Sequence, residues 1–179
     1  MNAPNALTMS RIALVPMLAM ALMAENLNAA LAIFILGMAT DTLDGHLARR
    51  SGDITDFGKL MDPLADKLFV GTAFVCLVLL GRLELAVVIV ILSREVAVSA
   101  LRLVANRRGV VISASKLGKA KTTLQAVTIG VLIIGDPTLA ASELLVAVMT
   151  FVTILSGMAY FVSWAQAPDT TGEPASSPG

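Results

Sequence analysis

Six stretches of apolar sequence of membrane-crossing length follow one another with only short polar breaks: roughly residues 6–25, 29–49, 58–81, 83–106, 116–135 and 140–166. A helix needs about 20 apolar residues to cross a bilayer. Backbone polar groups in hydrocarbon must also be satisfied within the segment, so few folds accept such a pattern. Of 179 residues, 56% are hydrophobic and 15% charged, with a mean hydropathy of +0.82, whereas soluble domains carry about 25% charged residues. The chain is therefore expected to be all-α, an integral membrane bundle of six transmembrane helices. Residues 1–166 would form one membrane domain. The tail 167–179, rich in Pro, Ser and Gly and lacking an apolar face, would be disordered. The first stretch, Leu7 to Ala24, carries Arg11 inside it and runs on into further apolar sequence, so it is expected to be a retained helix and not a cleaved signal.

Charge placement orients the bundle. The breaks fall at Glu25–Asn28, Arg50–Phe57, Gly81–Arg82, Arg107–Ser115 and Asp136–Pro137. The first five segments each carry polar residues towards one end, and alternating helix directions bring those ends to the same side. There Arg49, Arg50 and Lys59 flank one loop, and Arg102, Arg107, Arg108, Lys116, Lys119 and Lys121 flank another, with Arg11 beside them. The other side holds Arg82 with Glu25, Glu84, Asp136 and Glu143. Excess Lys and Arg marks the cytoplasmic face, which places both termini inside and the chain in the inner, cytoplasmic membrane. A formal net charge of zero gives no field that would attract nucleic acid. The one cysteine, Cys76, cannot form an intrachain disulfide and reads as packing.

Against this background the run from Asp41 to Asp66 stands out. An ionisable group at membrane depth costs about 2.5–3.5 kcal/mol on insertion scales, and neighbouring carboxylates repel unless a cation holds them. Asp41 and Asp44 are three apart and share a helical face that Gly45 and Ala48 continue; Gly58, Asp62 and Asp66 recur at intervals of four. A short connection keeps these two helices adjacent and antiparallel. Oxygen-only ligands without a Cys or His cluster favour Mg²⁺ or Mn²⁺ over zinc. Two such ions commonly hold phosphates and stabilise the attacking and leaving oxygens of phosphoryl transfer. Gly45 and Gly58 would let a nucleotide or pyrophosphate approach the backbone.

The pattern DxxDGxxAR, eight residues, then GxxxDxxxD is met by Asp41, Asp44, Gly45, Ala48, Arg49, Gly58, Asp62 and Asp66 without a gap or substitution. In this the chain resembles the CDP-alcohol phosphotransferases. PNALTMSR, GKLMDPLADKL, SREVAVSALR and SKLGKAKTTLQ further look like the corresponding stretches of bacterial members that make phosphatidylglycerol phosphate. The resemblance implies a six-helix membrane enzyme, usually a homodimer, that moves a phosphoalcohol unit from a CDP-linked donor to a hydroxyl and releases CMP. It implies Asp41, Asp44, Asp62 and Asp66 as ligands of two Mg²⁺ or Mn²⁺ ions, with Asp66 also the general base. It assigns Gly45, Ala48, Arg49, Thr55 and Gly58 to the CDP portion of CDP-diacylglycerol, with Asn5 and Thr8 closing over it.

A second basic group bears on the acceptor. Arg94 and Arg102 are eight apart, about two helical turns, and so share a face; Lys119 lies early in the fifth segment on the same membrane side. Arginine forks and a lysine suit an acceptor bearing its own phosphate, which glycerol 3-phosphate does. Inositol phosphate would also satisfy this pocket. A divalent-cation transporter is a third reading, disfavoured because the opposite membrane half is nearly devoid of polar groups. Glu95 is a natural partner for Arg94. His46 falls off the carboxylate face, Asp53 and Asp56 read as solvated, and Tyr160 and Trp164 read as interfacial anchors.

Overall fold

A computed structural model describes residues 3–51, 56–107 and 116–166, with side chains at 9–40, 61, 64–106 and 117–166. The tail 167–179 lies outside the described residues. Six helices follow in order: α1 (Ala3–Met23), α2 (Leu27–Ser51), α3 (Asp56–Leu79), α4 (Leu85–Arg107), α5 (Lys116–Ile134) and α6 (Ala140–Ala165). Each coincides with one expected apolar stretch. Among the described residues, two helical stretches are long and apolar enough to cross a membrane, Leu117–Ile134 and Ala140–Ala165, and Met9–Met23 and Leu27–Thr40 are shorter apolar runs. Large apolar side chains also cover the outside of the bundle; Met20, Leu79, Leu85, Val96, Leu144 and Phe151 are all more than half exposed. Such a surface suits lipid and is costly in water.

The turns explain why the helices stop where they do. At the end of α1 the Glu25 and Asn26 amides donate to the Leu22 and Ala21 carbonyls, both at 2.9 Å, and Glu25 takes φ 53°. This is a Schellman closure with a non-glycine residue in the left-handed position. Asn26 Oδ1 then accepts the Ala29 amide at 3.2 Å and caps α2. Gly81, φ 68°, closes α3 in the same way, its amide donating to Val78 and that of Arg82 to Leu77. Arg82 Nη1 next donates to the carbonyls of Leu132, Ile133 and Gly135 at 3.0–3.1 Å, satisfying the free end of α5.

α1 packs on α2 and α3, α5 on α2 and α6, and α4 on α6. The core between them holds Leu18, Leu22, Phe34, Phe69, Phe74, Leu77, Ile91, Ile129, Leu132 and Met149. One contact matters most for the end that carries the carboxylates. The Phe34 and Phe69 rings stack with centroids 5.9 Å apart, and a Cβ on Gly37 would lie 2.3 Å from Phe69 Cζ. Only glycine admits that ring against α2. Gly37 is one turn before Asp41, and Phe69 one turn after Asp66, so this contact joins α2 and α3 next to their carboxylate runs.

Candidate active site

α2 carries Asp41 and Asp44 near its C-terminal end, and α3 carries Asp62 and Asp66 near its N-terminal end. The side chains of Asp41, Asp44 and Asp62 lie outside the described residues, as do those of Asn5, Thr8, Gly45, His46, Ala48, Arg49, Asp56 and Gly58; Asp53 and Thr55 lie outside altogether. Asp66 is described. It is half-buried and borders a cavity of about 140 Å³ enclosed by α2, α3, α4 and α5. Met38, Val70, Phe74, Ile91 and Leu92 form much of the wall, and Lys67, Glu95, Lys121 and Gln125 supply polar groups beside Asp66. An apolar chamber with a few convergent polar groups is the usual form of a small-molecule site. Among the described residues no cluster of three or more His, Cys, Asp or Glu side chains assembles.

Glu95, Lys67 and Lys121 of this chamber belong to one network. Glu95 Oε1 accepts from Arg94 Nη1 at 3.0 Å and from Lys121 Nζ. Lys121 is buried, 7% exposed, and lies within electrostatic range of Asp66. Lys67 Nζ donates to Ser99 Oγ, whose own hydroxyl donates to the Glu95 carbonyl at 2.6 Å. Gln125 Nε2 and Arg94 Nε are buried without a hydrogen-bond partner among the described residues. Of the two, Gln125 lines the cavity, where an unsatisfied donor suits a ligand that brings an oxygen acceptor.

Of the expected acceptor residues, the structure brings two together. Arg94 and Arg102 both approach the Tyr160 ring, with guanidinium carbons 5.7 and 4.7 Å from its centroid, and Arg102 Nη2 pairs with the Tyr160 hydroxyl. Lys119 is exposed, and the lysine that turns inward is Lys121, on the opposite face of α5. Its helical phase was readable: Lys121, Gln125, Thr128 and Leu132 form one buried stripe at intervals of four, three and four. One other expectation is corrected, and one residue is found deeper than its charge suggests. Tyr160 is buried at 3% exposure, held by Arg102, and is not an interfacial anchor; Trp164 packs beside it against Val98 and Leu101. Arg11, read as part of a basic flank, is 1% exposed inside the bundle.

Comparison with known proteins matches the chain to a family. The family described as CDP-alcohol phosphatidyltransferase matches residues 1–164. The chain is 37% identical over 180 residues to a CDP-diacylglycerol–glycerol-3-phosphate 3-phosphatidyltransferase of Bacillus subtilis, covering 89% of this chain and 93% of the relative. It is 41% identical over 167 residues to a probable phosphatidylglycerophosphate synthase of Mycobacterium tuberculosis, covering 89% and 79%. Its fold resembles the crystal structure of Mycobacterium tuberculosis phosphatidylinositol phosphate synthase with CDP-DAG bound, at TM-score 0.71 and 16% identity over 97% of this chain and 92% of that one. The chain belongs to the CDP-alcohol phosphatidyltransferase family.

Proposed function

We propose that the protein transfers the phosphatidyl group of CDP-diacylglycerol to glycerol 3-phosphate, giving phosphatidylglycerol phosphate and CMP. The observation that carries this reading is the near full-length likeness to relatives named for that reaction, with the DxxDGxxAR…GxxxDxxxD spacing intact. The chamber beside Asp66 supports it, since Lys67 and Lys121 gather there with the carboxylates of Asp66 and Glu95. Inositol phosphate is the competing acceptor, and nothing in the geometry favours it.

In this reading Asp41, Asp44, Asp62 and Asp66 hold two divalent cations, Mg²⁺ or Mn²⁺. The all-oxygen donor set at two helix ends fits hard cations, which when bound would neutralise the pyrophosphate and stabilise CMP as it departs. Gly45, Ala48, Arg49, Thr55 and Gly58 receive the CDP part of the donor, with Asn5 and Thr8 closing over it. Arg94 and Arg102 hold the acceptor phosphate, and the inward-facing Lys121 takes the place first given to the exposed Lys119. Asp66 accepts the proton of the attacking hydroxyl. The acceptor oxygen bonds to the β-phosphorus, the phosphoanhydride bond to CMP breaks with its electron pair, and the proton passes from Asp66 to solvent.

We further infer that all six helices cross the inner membrane as one domain over residues 1–166. The site and both termini would be cytoplasmic, with the tail 167–179 extending from the domain, and two chains would associate as a homodimer. A lipid donor can then stay in the bilayer while a soluble phosphate enters from the cytoplasm. The deciding experiment measures CMP release by purified protein from CDP-diacylglycerol, with Mg²⁺ or Mn²⁺, across a panel of acceptors. Metal-dependent release with glycerol 3-phosphate is expected; release with inositol phosphate instead would overturn the acceptor.

A further inference from the structure

α4 and α6 meet along a polar seam whose α6 residues the reaction as described does not use. Arg94 Nη2 reaches across to Ser156 Oγ at 2.9 Å, and Ser156 is fully buried. The Ser156 hydroxyl itself donates to the Thr153 carbonyl at 2.9 Å, so its oxygen is left to accept from the guanidinium. The next residue is Gly157, where a Cβ would lie 3.0 Å from Arg94 Cγ and 3.5 Å from Nε. The stem of Arg94 occupies the space a side chain would fill. One turn further, the buried Tyr160 offers its ring to Arg94 and Arg102 together and its hydroxyl to Arg102.

A guanidinium is a planar fork whose value for phosphate depends on its aim. Long side chains otherwise lose that aim to rotamer freedom, and small displacements of binding groups are costly. Here the seam restrains both arginines on one side while Glu95 restrains Arg94 on the other. We propose that Ser156, Gly157 and Tyr160 of α6 are positioning residues, which hold Arg94 and Arg102 in the orientation that grips a phosphate-bearing acceptor. The inference rests on the reading that these arginines bind the acceptor phosphate.

The test is steady-state CMP release with glycerol 3-phosphate varied at saturating CDP-diacylglycerol, and the reverse. Ser156→Ala is expected to raise KM for glycerol 3-phosphate about tenfold, the scale of one hydrogen bond to a charged group. Donor KM and kcat should stay near wild type while the melting temperature in detergent falls, because a buried guanidinium donor loses its acceptor; Ser156→Thr, which keeps the hydroxyl, should leave acceptor KM near wild type. Tyr160→Phe and Gly157→Ala should shift the same parameter. In an Arg94→Ala background, Ser156→Ala should add nothing. A Ser156→Ala effect that fell equally on donor KM and kcat, or that added to Arg94→Ala, would make the seam merely structural and overturn the proposal. The underlying reading fails separately, if Arg94→Ala leaves acceptor KM unchanged. Should Arg94→Ala raise it while Ser156→Ala does not, only the positioning role is lost.

Discussion

The carboxylate ends of α2 and α3 and the seam between α4 and α6 are built in opposite ways. The first draws on two consecutive helices joined by a short connection, so its groups lie close in sequence and repeat with the period of a helix. The second joins Arg94 to Ser156 across 62 positions and Arg102 to Tyr160 across 58, and takes Lys121 from a third helix. Like charges that must converge leave a local signature, because only regular spacing puts them on one face. Neutral partners that restrain an arginine leave none, since Ser, Gly and Tyr in an apolar helix read as ordinary packing.

The comparison breaks most readily at Asp66. If it is the base, Asp66→Asn should lower kcat by about a thousandfold, within the range for removal of a general base, while binding of CDP-diacylglycerol is retained. A variant with wild-type turnover would remove the chemistry from the local half of the site. Next in size is the pair that links the two halves. Breaking a buried ion pair by removing one partner costs about 3 kcal/mol or more, while replacing both with neutral groups costs far less. Glu95 is shared by Lys121 and Arg94, so Glu95→Gln alone, which leaves two cations without their carboxylate, should lower the melting temperature in detergent well below that of the Lys121→Met, Glu95→Gln double variant. A double-variant loss equal to the sum of the Lys121→Met and Glu95→Gln losses would mean that Lys121 and Glu95 act independently and that the network does not join α4 to α5.

This division also explains what could be read before the fold was in hand. Six helices were legible because each is one apolar stretch ended by a polar break, and Glu25–Asn26 and Gly81–Arg82 became the closing turns. The carboxylate run was legible from its spacing. The inward face of Lys121 is missed when charge is counted by segment and not by helical phase, although Gln125 and Thr128 share that face. Tyr160 was misread because its place near the end of α6 matches an aromatic belt. Only the pairing of α4 with α6, which no local pattern encodes, shows that Arg102 holds its hydroxyl.

A smaller effect probes how the local half is held in place. Gly37→Ala would put a methyl 2.3 Å from Phe69 Cζ, so the ring must move or α2 and α3 must separate. Overpacking of this kind costs about 1–3 kcal/mol. The expected result is a lower melting temperature together with weaker metal-dependent stimulation of turnover, because the displaced contact lies one turn from both Asp41 and Asp66. Added Mg²⁺ or Mn²⁺ should recover part of the activity. A drop in stability with unchanged metal dependence would show that the carboxylate spacing is set elsewhere.

The smallest effect is expected at the opposite end of the bundle, in the α5–α6 turn. Asp136 Oδ1 accepts from the Thr138 hydroxyl at 2.7 Å and amide at 2.9 Å. These hydrogen bonds, with a lesser contribution from Arg82, hold the carboxyl below its ordinary range. A depressed native value stabilises the fold above the unfolded-state value, and that contribution is lost as pH falls through the native one. Melting temperatures measured from neutral pH downwards should therefore fall slightly more steeply for the wild type than for Asp136→Asn, with turnover at neutral pH the same in both. Because this turn touches neither the carboxylate ends nor the basic seam, a clear loss of turnover in Asp136→Asn would mean that the far end communicates with the site. The natural route would be Arg82, which caps the same α5 that carries Lys121.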